Sequence, residues 1–544
     1  MESRLSAGKS YFLFAIGTLI SRVLGLLRES IKAAVFGAGL LNDSFIVAYR
    51  IPNLLREMLA EGALGASFTK VFTSLWEEDQ KRAKALLVDS IWLAIIAVGI
   101  LSLLGIVLAP IIAKSVAIYA NRTSHGAELI RQATGLTKIL FPFILLMSLS
   151  AIAAGALHQK GRFFLSSISS AGLNVGFILG AGVFSFAFKK FAPEWIDDVI
   201  ADRMLVGLAI GVLLGGILQL IILLWGIWKP LLANQMGLPN RLPWSQDLKK
   251  VLMLMGPMII AASASQINIV VNTNFATTLQ SGAVTWLSSA FILIHLPVAI
   301  FGVAVGSVSL PALSRALART GNTLTREVSL KLQNSIELVF WLMVPTFVVI
   351  QVCGLEIVQV VFQHGKFDSI AANATANTLK VYSYGLLGFS LIKVFTSFYY
   401  AIDKTSYAVK VSLISIFLNF IINFYLVRRF EHLGLAATAA TVVSLNALFL
   451  YVGTLRVKTS YQTKPFLRSL ALIALAALVS FVILNYTDIS STLAKLLLPT
   501  QSPWLIAFFK LTVNGLVILA AFLISGWLRL GRFPLTELKR RKPR

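Results

Sequence analysis

Cysteine is almost missing from this chain. Its 544 residues hold one, Cys353, inside an apolar run, which excludes an intramolecular disulfide and a Cys-based metal site. Charge is scarce as well. Asp, Glu, Lys and Arg make up 13% of the residues, about half the ~25% usual in soluble domains. Acids are the scarcer kind, 23 against 48 bases, for a net charge of +25. There is no G-x-x-x-x-G-K-[ST], H-E-x-x-H or G-x-S-x-G pattern, so the sequence carries no positive sign of ATP hydrolysis or of bond-making chemistry. Long polar stretches are lacking too. The longest, around 114–135, 229–250 and 487–503, are too short for a folded extramembrane domain. The start of the chain has no A-x-A site after its apolar run, so it is expected to be a retained first helix and not a signal peptide.

What the chain does have is apolar length: 57% of it is hydrophobic. Runs of about 20 apolar residues predict membrane-crossing helices, since a barrel would show alternating strands of about 10. The expected class is all-α and polytopic, with about 14 spans. Their approximate positions are 10–34, 40–72, 88–113, 136–158, 164–188, 203–228, 250–278, 284–312, 334–354, 378–402, 408–427, 434–455, 466–486 and 504–528. With both ends on one side, the segments sharing that side hold roughly twice the Lys and Arg of the opposite set, which predicts cytoplasmic termini. The bases are scattered between spans and form no single stripe, so nucleic acid is not an expected partner. Gly39–Thr69 and Gly282–Leu313 share a theme around Pro52 and Pro297, 245 residues apart. Six helices separate them, which predicts two six-helix lobes in parallel pseudo-repeat. The expected organisation is a first lobe at 1–235, a second at 236–460, two further spans in 461–528 and a basic cytoplasmic tail at 529–544.

Charges concentrate where they are least welcome. The stretch from Ser21 to Phe68 is mostly apolar, yet holds Arg22, Arg28, Glu29, Lys32, Asp43, Arg50, Arg56, Glu57 and Glu61. Each charge inside a membrane helix costs roughly 2.5–3.5 kcal/mol on insertion scales, so such residues face a bundle interior or a watery cavity. Arg22 and Arg28 lie about 120° apart on a straight helix and would converge only if it bends, which Gly25 permits. Arg50-Ile-Pro-Asn-Leu-Leu-Arg56 echoes Arg22-Val-Leu-Gly-Leu-Leu-Arg28, with Pro52 expected to break or kink the second helix. Guanidinium groups donate in pairs and suit a phosphate. The expectation is a cationic cavity for an anionic headgroup, with Ser21 and Asn53 beside the arginines. The structural alternative is that they snorkel or neutralise Glu29, Glu57, Glu61 and Asp43. Asp43 and Glu61 are expected to balance charge or latch a gate.

Weaker candidates lie further on. His295 and Lys393 are possible second-lobe contacts, a core histidine being the equal alternative. Asn419 and Asn423 share a helix face and could form a weak cation site, although interhelical bonding is the better reading. Asn268, Asn272 and Asn274 read the same way.

At these residues the sequence resembles the MurJ/MviN lipid II flippases, of the multidrug/oligosaccharidyl-lipid/polysaccharide exporter superfamily. S-R-x-x-G-x-x-R-[DE] is met by Ser21, Arg22, Gly25, Arg28 and Glu29; F-G-A-G by Phe36–Gly39, followed by Asp43; F-x-V-A-[FY]-[KR]-[IL]-P-N-L-L-R by Phe45–Arg56; and A-E-G-A by Ala60–Ala63. Looser matches follow at Gly256-Pro257, Ser265-Gln266, Ser281-Gly282 with Trp286, and 362–368. The resemblance implies alternating access, with Arg22, Arg28 and Arg56 on the diphosphate of undecaprenyl-linked disaccharide-pentapeptide and a lipid-tail groove at the last two spans. It also implies a bacterial inner-membrane location, a role in peptidoglycan synthesis, no cofactor, and sodium or the membrane potential as driving force. A monomer is expected, with cell-wall synthesis proteins as possible partners. The resemblance implies two departures: Glu57 stands where many relatives carry a base, and Ile292 where relatives place an arginine. The acid of the relatives' sodium site is also absent beside Asn419 and Asn423. The rivals are an exporter of another lipid-linked oligosaccharide or of drugs, and, from another class, a membrane glycosyltransferase.

Overall fold

The computed structural model describes residues 2–120, 123–192, 202–228, 231, 245–319, 324–456, 463–487, 489–498 and 502–530. Among them there are helices and no strands. In the first part of the chain these are α1 (Glu2–Phe36), α2 (Leu40–Leu55), α3 (Gly65–Glu78), α4 (Gln80–Leu93), α5 (Gly99–Val107), α6 (Ala109–Val116), α7 (Gly126–Leu140), α8 (Phe143–Gln159), α9 (Phe163–Leu179), α10 (Ser185–Phe191), α11 (Arg203–Ile227) and α12 (Gln246–Ala276). Then follow α13 (Ala283–Pro297), α14 (Val303–Arg319), α15 (Arg326–Phe362), α16 (Ser369–Ser383), α17 (Leu386–Ala401), α18 (Thr405–Arg456), α19 (Thr463–Tyr486), α20 (Ile489–Leu497) and α21 (Pro503–Leu530).

Nine described helices are long and apolar enough to cross a membrane, or ten if α16 and α17, bent by 44°, count as one broken span. The fourteen expected from sequence exceed this for identifiable reasons. α1, the 40–78 run and α12 fall outside the apolar set, and the first two hold the charges singled out above. α18 counts once at 52 residues, yet Glu431 leaves helical geometry at φ 49° and ψ −129°. At ~1.5 Å per residue each arm is long enough to cross a hydrocarbon core of about 30 Å.

The chain forms two compact units. One comprises residues 1–285 with 364–368, the other 286–363 with 369–544. The first therefore takes in α12, which packs on the 56–64 segment and on α3. Its centre is α9. A Cβ on Gly176 would fall 2.2 Å from Gly215 Cα, and one on Gly211 2.3 Å from Gly180 Cα. The backbones of α9 and α11 touch there, as small residues at four-residue spacing allow. α9 also packs along α1. In the second unit α19 and α21 pack on α15 through Val348, Ile473, Ala476, Ile518 and Phe522.

Pro52 does not break the helix, the first of the two outcomes expected above. α2 continues to Leu55, and residues 56–64 then widen into π geometry before α3 resumes the α form. The hydrogen bond that Pro52 withdraws from Ala48 is replaced from outside: Thr137 Oγ1 donates to the Ala48 carbonyl at 3.5 Å. The same sequence of forms recurs at Pro297, which ends α13 and is followed by a π segment at Val298–Gly302 and then α14. The two Pro-containing stretches that resemble each other in sequence thus share a backbone device.

Candidate headgroup site

α1 runs uninterrupted through Gly25, so the bend that would bring Arg22 and Arg28 together is not present. Arg22 is exposed and has no partner among the described residues. Arg28 turns toward α9. Its Nε and Nη2 donate to Glu29 Oε1 at 3.0 and 2.7 Å, and Nη1 donates to Asn174 Oδ1 at 3.1 Å. The guanidinium lies 4.6 Å from the Phe177 ring centroid. Lys32 reaches the other oxygen of buried Glu29 at 2.6 Å. One acid between two bases leaves this cluster with a unit of positive charge. Guanidinium has five N–H donors; two of those on Arg28 find no acceptor among the described residues.

Asn174 is the residue that sequence reasoning missed. Its Nδ2 donates to the Ser21 carbonyl at 2.9 Å and to Ser21 Oγ at 3.3 Å, while its Oδ1 holds Arg28. Ser170 Oγ donates to Ser21 Oγ at 2.8 Å. The amide therefore joins two of the three polar positions of the S-R-x-x-G-x-x-R pattern, Ser21 and Arg28. A Cβ on Gly25 would stand 3.7 Å from Asn174 Oδ1. The available signal was an amide within an otherwise apolar span.

The second cluster opens the wide segment. Arg56 Nε donates to Asn53 Oδ1 at 3.0 Å, and Nη2 reaches Glu57 Oε1 at 3.3 Å. Asn53 Nδ2 donates to the same Glu57 oxygen at 2.9 Å. The other Glu57 oxygen accepts from Gln266 Nε2 of α12 at 2.6 Å. Arg56 and Glu57 balance, so this cluster adds no net charge. Glu57 serves here as the node joining α2 to α12. Pro52 is buried one turn earlier. The Glu61 side chain lies outside the described residues.

Asp43 is 2% exposed, and its partners lie at the start of α13. Oδ2 accepts from Gly282 N at 2.7 Å; Oδ1 accepts from Thr285 N at 2.9 Å and Thr285 Oγ1 at 2.6 Å. A carboxylate supplied by α2 thus takes up N–H groups that the first turn of α13 leaves unbonded. Three donors converge on this one acid.

Of the later candidates, His295 is packed among aromatic rings. His295 Nδ1 donates to the Phe291 carbonyl at 3.0 Å, and its ring lies 3.9 Å from Phe291 and 5.0 Å from Phe389. The Lys393 side chain is exposed and makes no hydrogen bond or ion pair among the described residues. Ile292 is half-buried on α13. Asn423 Nδ2 donates to Asn419 Oδ1 at 3.0 Å, so the two amides are engaged with each other. No group of three or more His, Cys, Asp or Glu that could hold a metal exists among the described residues. Asn274 joins segments as expected, donating to the Ser115 carbonyl and accepting from Ile118 N.

The chain is similar to known proteins in sequence and in fold. Residues 32–503 match the family described as "Lipid II flippase MurJ". A Burkholderia cenocepacia protein named "Lipid II flippase MurJ" is 33% identical over 476 residues, covering 87% of this chain and 88% of that protein. Among solved structures, "Lipid II flippase MurJ, inward closed conformation" aligns with a TM-score of 0.76 at 21% identity, over 97% of this chain and all of that one. An inward-facing multidrug-resistance MATE transporter of the MOP superfamily aligns at a TM-score of 0.64 and 12% identity, over 80% of this chain and 94% of that one.

Proposed function

The chain belongs to the MurJ lipid II flippase family, a family of membrane transporters and not of enzymes, and on that premise we propose that Arg28 and Arg56 hold the diphosphate of its lipid substrate. The protein moves lipid II, the undecaprenyl-diphosphate-linked peptidoglycan precursor, from the inner to the outer leaflet of the bacterial cytoplasmic membrane. The observation that carries the site reading is the state of Arg28: oriented by Glu29 and Asn174, with two N–H donors still unused. A diphosphate supplies acceptors for such donors without the arginine first giving up a partner.

Arg22 stands two turns away as a second, exposed guanidinium, free to follow the headgroup. Arg56 is tied to Asn53 and Glu57, so its part is to orient more than to attract. Asp43 latches the start of α13 in one state of an alternating-access cycle and releases it in the other. The lipid chain stays in the bilayer, with spans 13 and 14 as its groove. We also infer fourteen spans in two six-helix lobes, divided near residue 235, and both termini in the cytoplasm. The protein acts as a monomer, and membrane potential or sodium biases the cycle. Cell-wall synthesis proteins are its natural partners.

The test is complementation in cells depleted of their own flippase, with leaflet-specific detection of lipid II. Arg22→Ala, Arg28→Ala and Arg56→Ala are each expected to reach normal protein levels and leave lipid II trapped on the inner leaflet. Full complementation by all three sinks the arginine site. Normal translocation of lipid II in depleted cells that lack this protein altogether sinks the flippase reading itself.

A further inference from the structure

Away from the arginine clusters, a cavity of about 360 Å³ opens where α20 packs on the start of α21. Its walls are Ser491, Ala494, Lys495, Leu498, Ile506 and Lys510. Two ammonium-bearing side chains thus share one apolar pocket. Neither lysine has an ion-pair or hydrogen-bond partner among the described residues. Lys510 is half-buried and lies seven residues into a helix apolar enough to span the membrane, roughly 10 Å from its start. A lysine at that depth must snorkel to the interface or meet an anion. Its side chain leans toward the helix N-terminus, which is the direction of the pocket.

Aromatic residues mark the level of this pocket. Tyr486 is 85% exposed at the end of α19, and Trp504 is 42% exposed at the start of α21. Exposed Tyr and Trp at helix ends sit at headgroup depth. α20 between them is short and amphipathic. Leu496 and Leu497 are bare, while Ala494 is buried against its neighbours, the pattern of a helix lying in the interface.

We propose that this pocket binds the phosphodiester headgroup of an anionic membrane phospholipid. Lys495 and Lys510 would take the phosphate, Ser491 would donate to it, and Leu498 and Ile506 would pack against the glycerol and upper acyl carbons. The amino end of α21 adds its own positive field. This site shares no residue with the arginine clusters.

The test is native mass spectrometry of the full chain released from nanodiscs of equal phosphatidylglycerol and phosphatidylcholine. The wild type is expected to retain phosphatidylglycerol preferentially. Lys495→Gln with Lys510→Gln should weaken that retention by about fivefold for each lysine, whereas Lys495→Arg with Lys510→Arg should keep it. Equal retention of both lipids by the wild type, or unchanged retention by the Gln pair, overturns the site. Displacement of phosphatidylglycerol by millimolar inorganic phosphate overturns the lipid as its ligand and assigns the pocket to a free anion. If the Gln pair unfolds, the Arg pair decides: lost retention in that folded protein also overturns the proposal. The readout is phosphatidylglycerol retention and not lipid II translocation, and the arginine variants are expected to retain phosphatidylglycerol like the wild type, so the two results are separable.

Discussion

A single amide carries more of the candidate site than any of the acids. Asn174 bonds Ser21 with one end and Arg28 with the other. Replacing it by Ala releases both, and a small misplacement of a binding group is enough to cost roughly tenfold or more in rate. Asn174→Ala is therefore expected to lower lipid II translocation at least about tenfold while the protein still inserts and accumulates. Translocation at the wild-type rate would reduce Asn174 to packing. The arginines and Asp43 were legible in the sequence because charges in apolar runs stand out. Their partners were not. Asn174 lies 146 residues from Arg28 and Thr285 lies 242 from Asp43, and local spacing says nothing about contacts of that range. The role of Glu57 was hidden for the same reason: its node partner, Gln266, sits on another helix.

At the scale of helices, the closest contact is the glycine seam of α9 and α11. It positions Asn174, because α9 is held against α11 on one side and α1 on the other. Gly211→Leu would drive a side chain into the Gly180 backbone, where no rotamer provides relief. The variant is expected to fall to a small fraction of wild-type protein level, whereas Gly182→Ala, which meets open space, should be neutral. Immunoblots of membrane fractions distinguish them. Apolar length predicted most helices well. It could not foresee that α1 stays uninterrupted at Gly25 or that Pro52 is bridged by Thr137, since both depend on what a neighbouring helix offers. The Asn419–Asn423 pair shows the reverse: spacing alone placed the amides on one face, and they bond each other.

One acid at the start of a helix is held by two bases. Asp247, at the start of α12, accepts from Arg82 Nη2 at 2.8 and 3.1 Å and from Lys250 at 3.3 Å. Burial alone would raise its carboxyl, but these two bases hold it below the usual carboxylate range. A lowered acid stabilises the fold above its unfolded pKa, about 3.9, and loses that contribution as pH falls through the lower folded value. The thermal midpoint of the detergent-solubilised protein should therefore exceed that of Asp247→Asn at neutral pH. The gap should close only under strongly acid conditions. A gap that persists unchanged at pH 3 would show that the tie is steric and not ionic. Both bases are more than half exposed, so salt should narrow the gap as well.

The wide turn at residues 56–64 bears on how length differences among relatives are to be understood. A π segment is an α-helix with a residue to spare. Losing one codon there would let the backbone settle into ordinary α geometry with its hydrogen bonds intact. Phase would hardly change: the wide turn absorbs the spare residue, so the helices on either side would keep their facing. An alignment gap in this stretch is therefore compatible with an unchanged aim on both sides of it, and two proteins that differ by it can still point the same flanking residues at the same substrate.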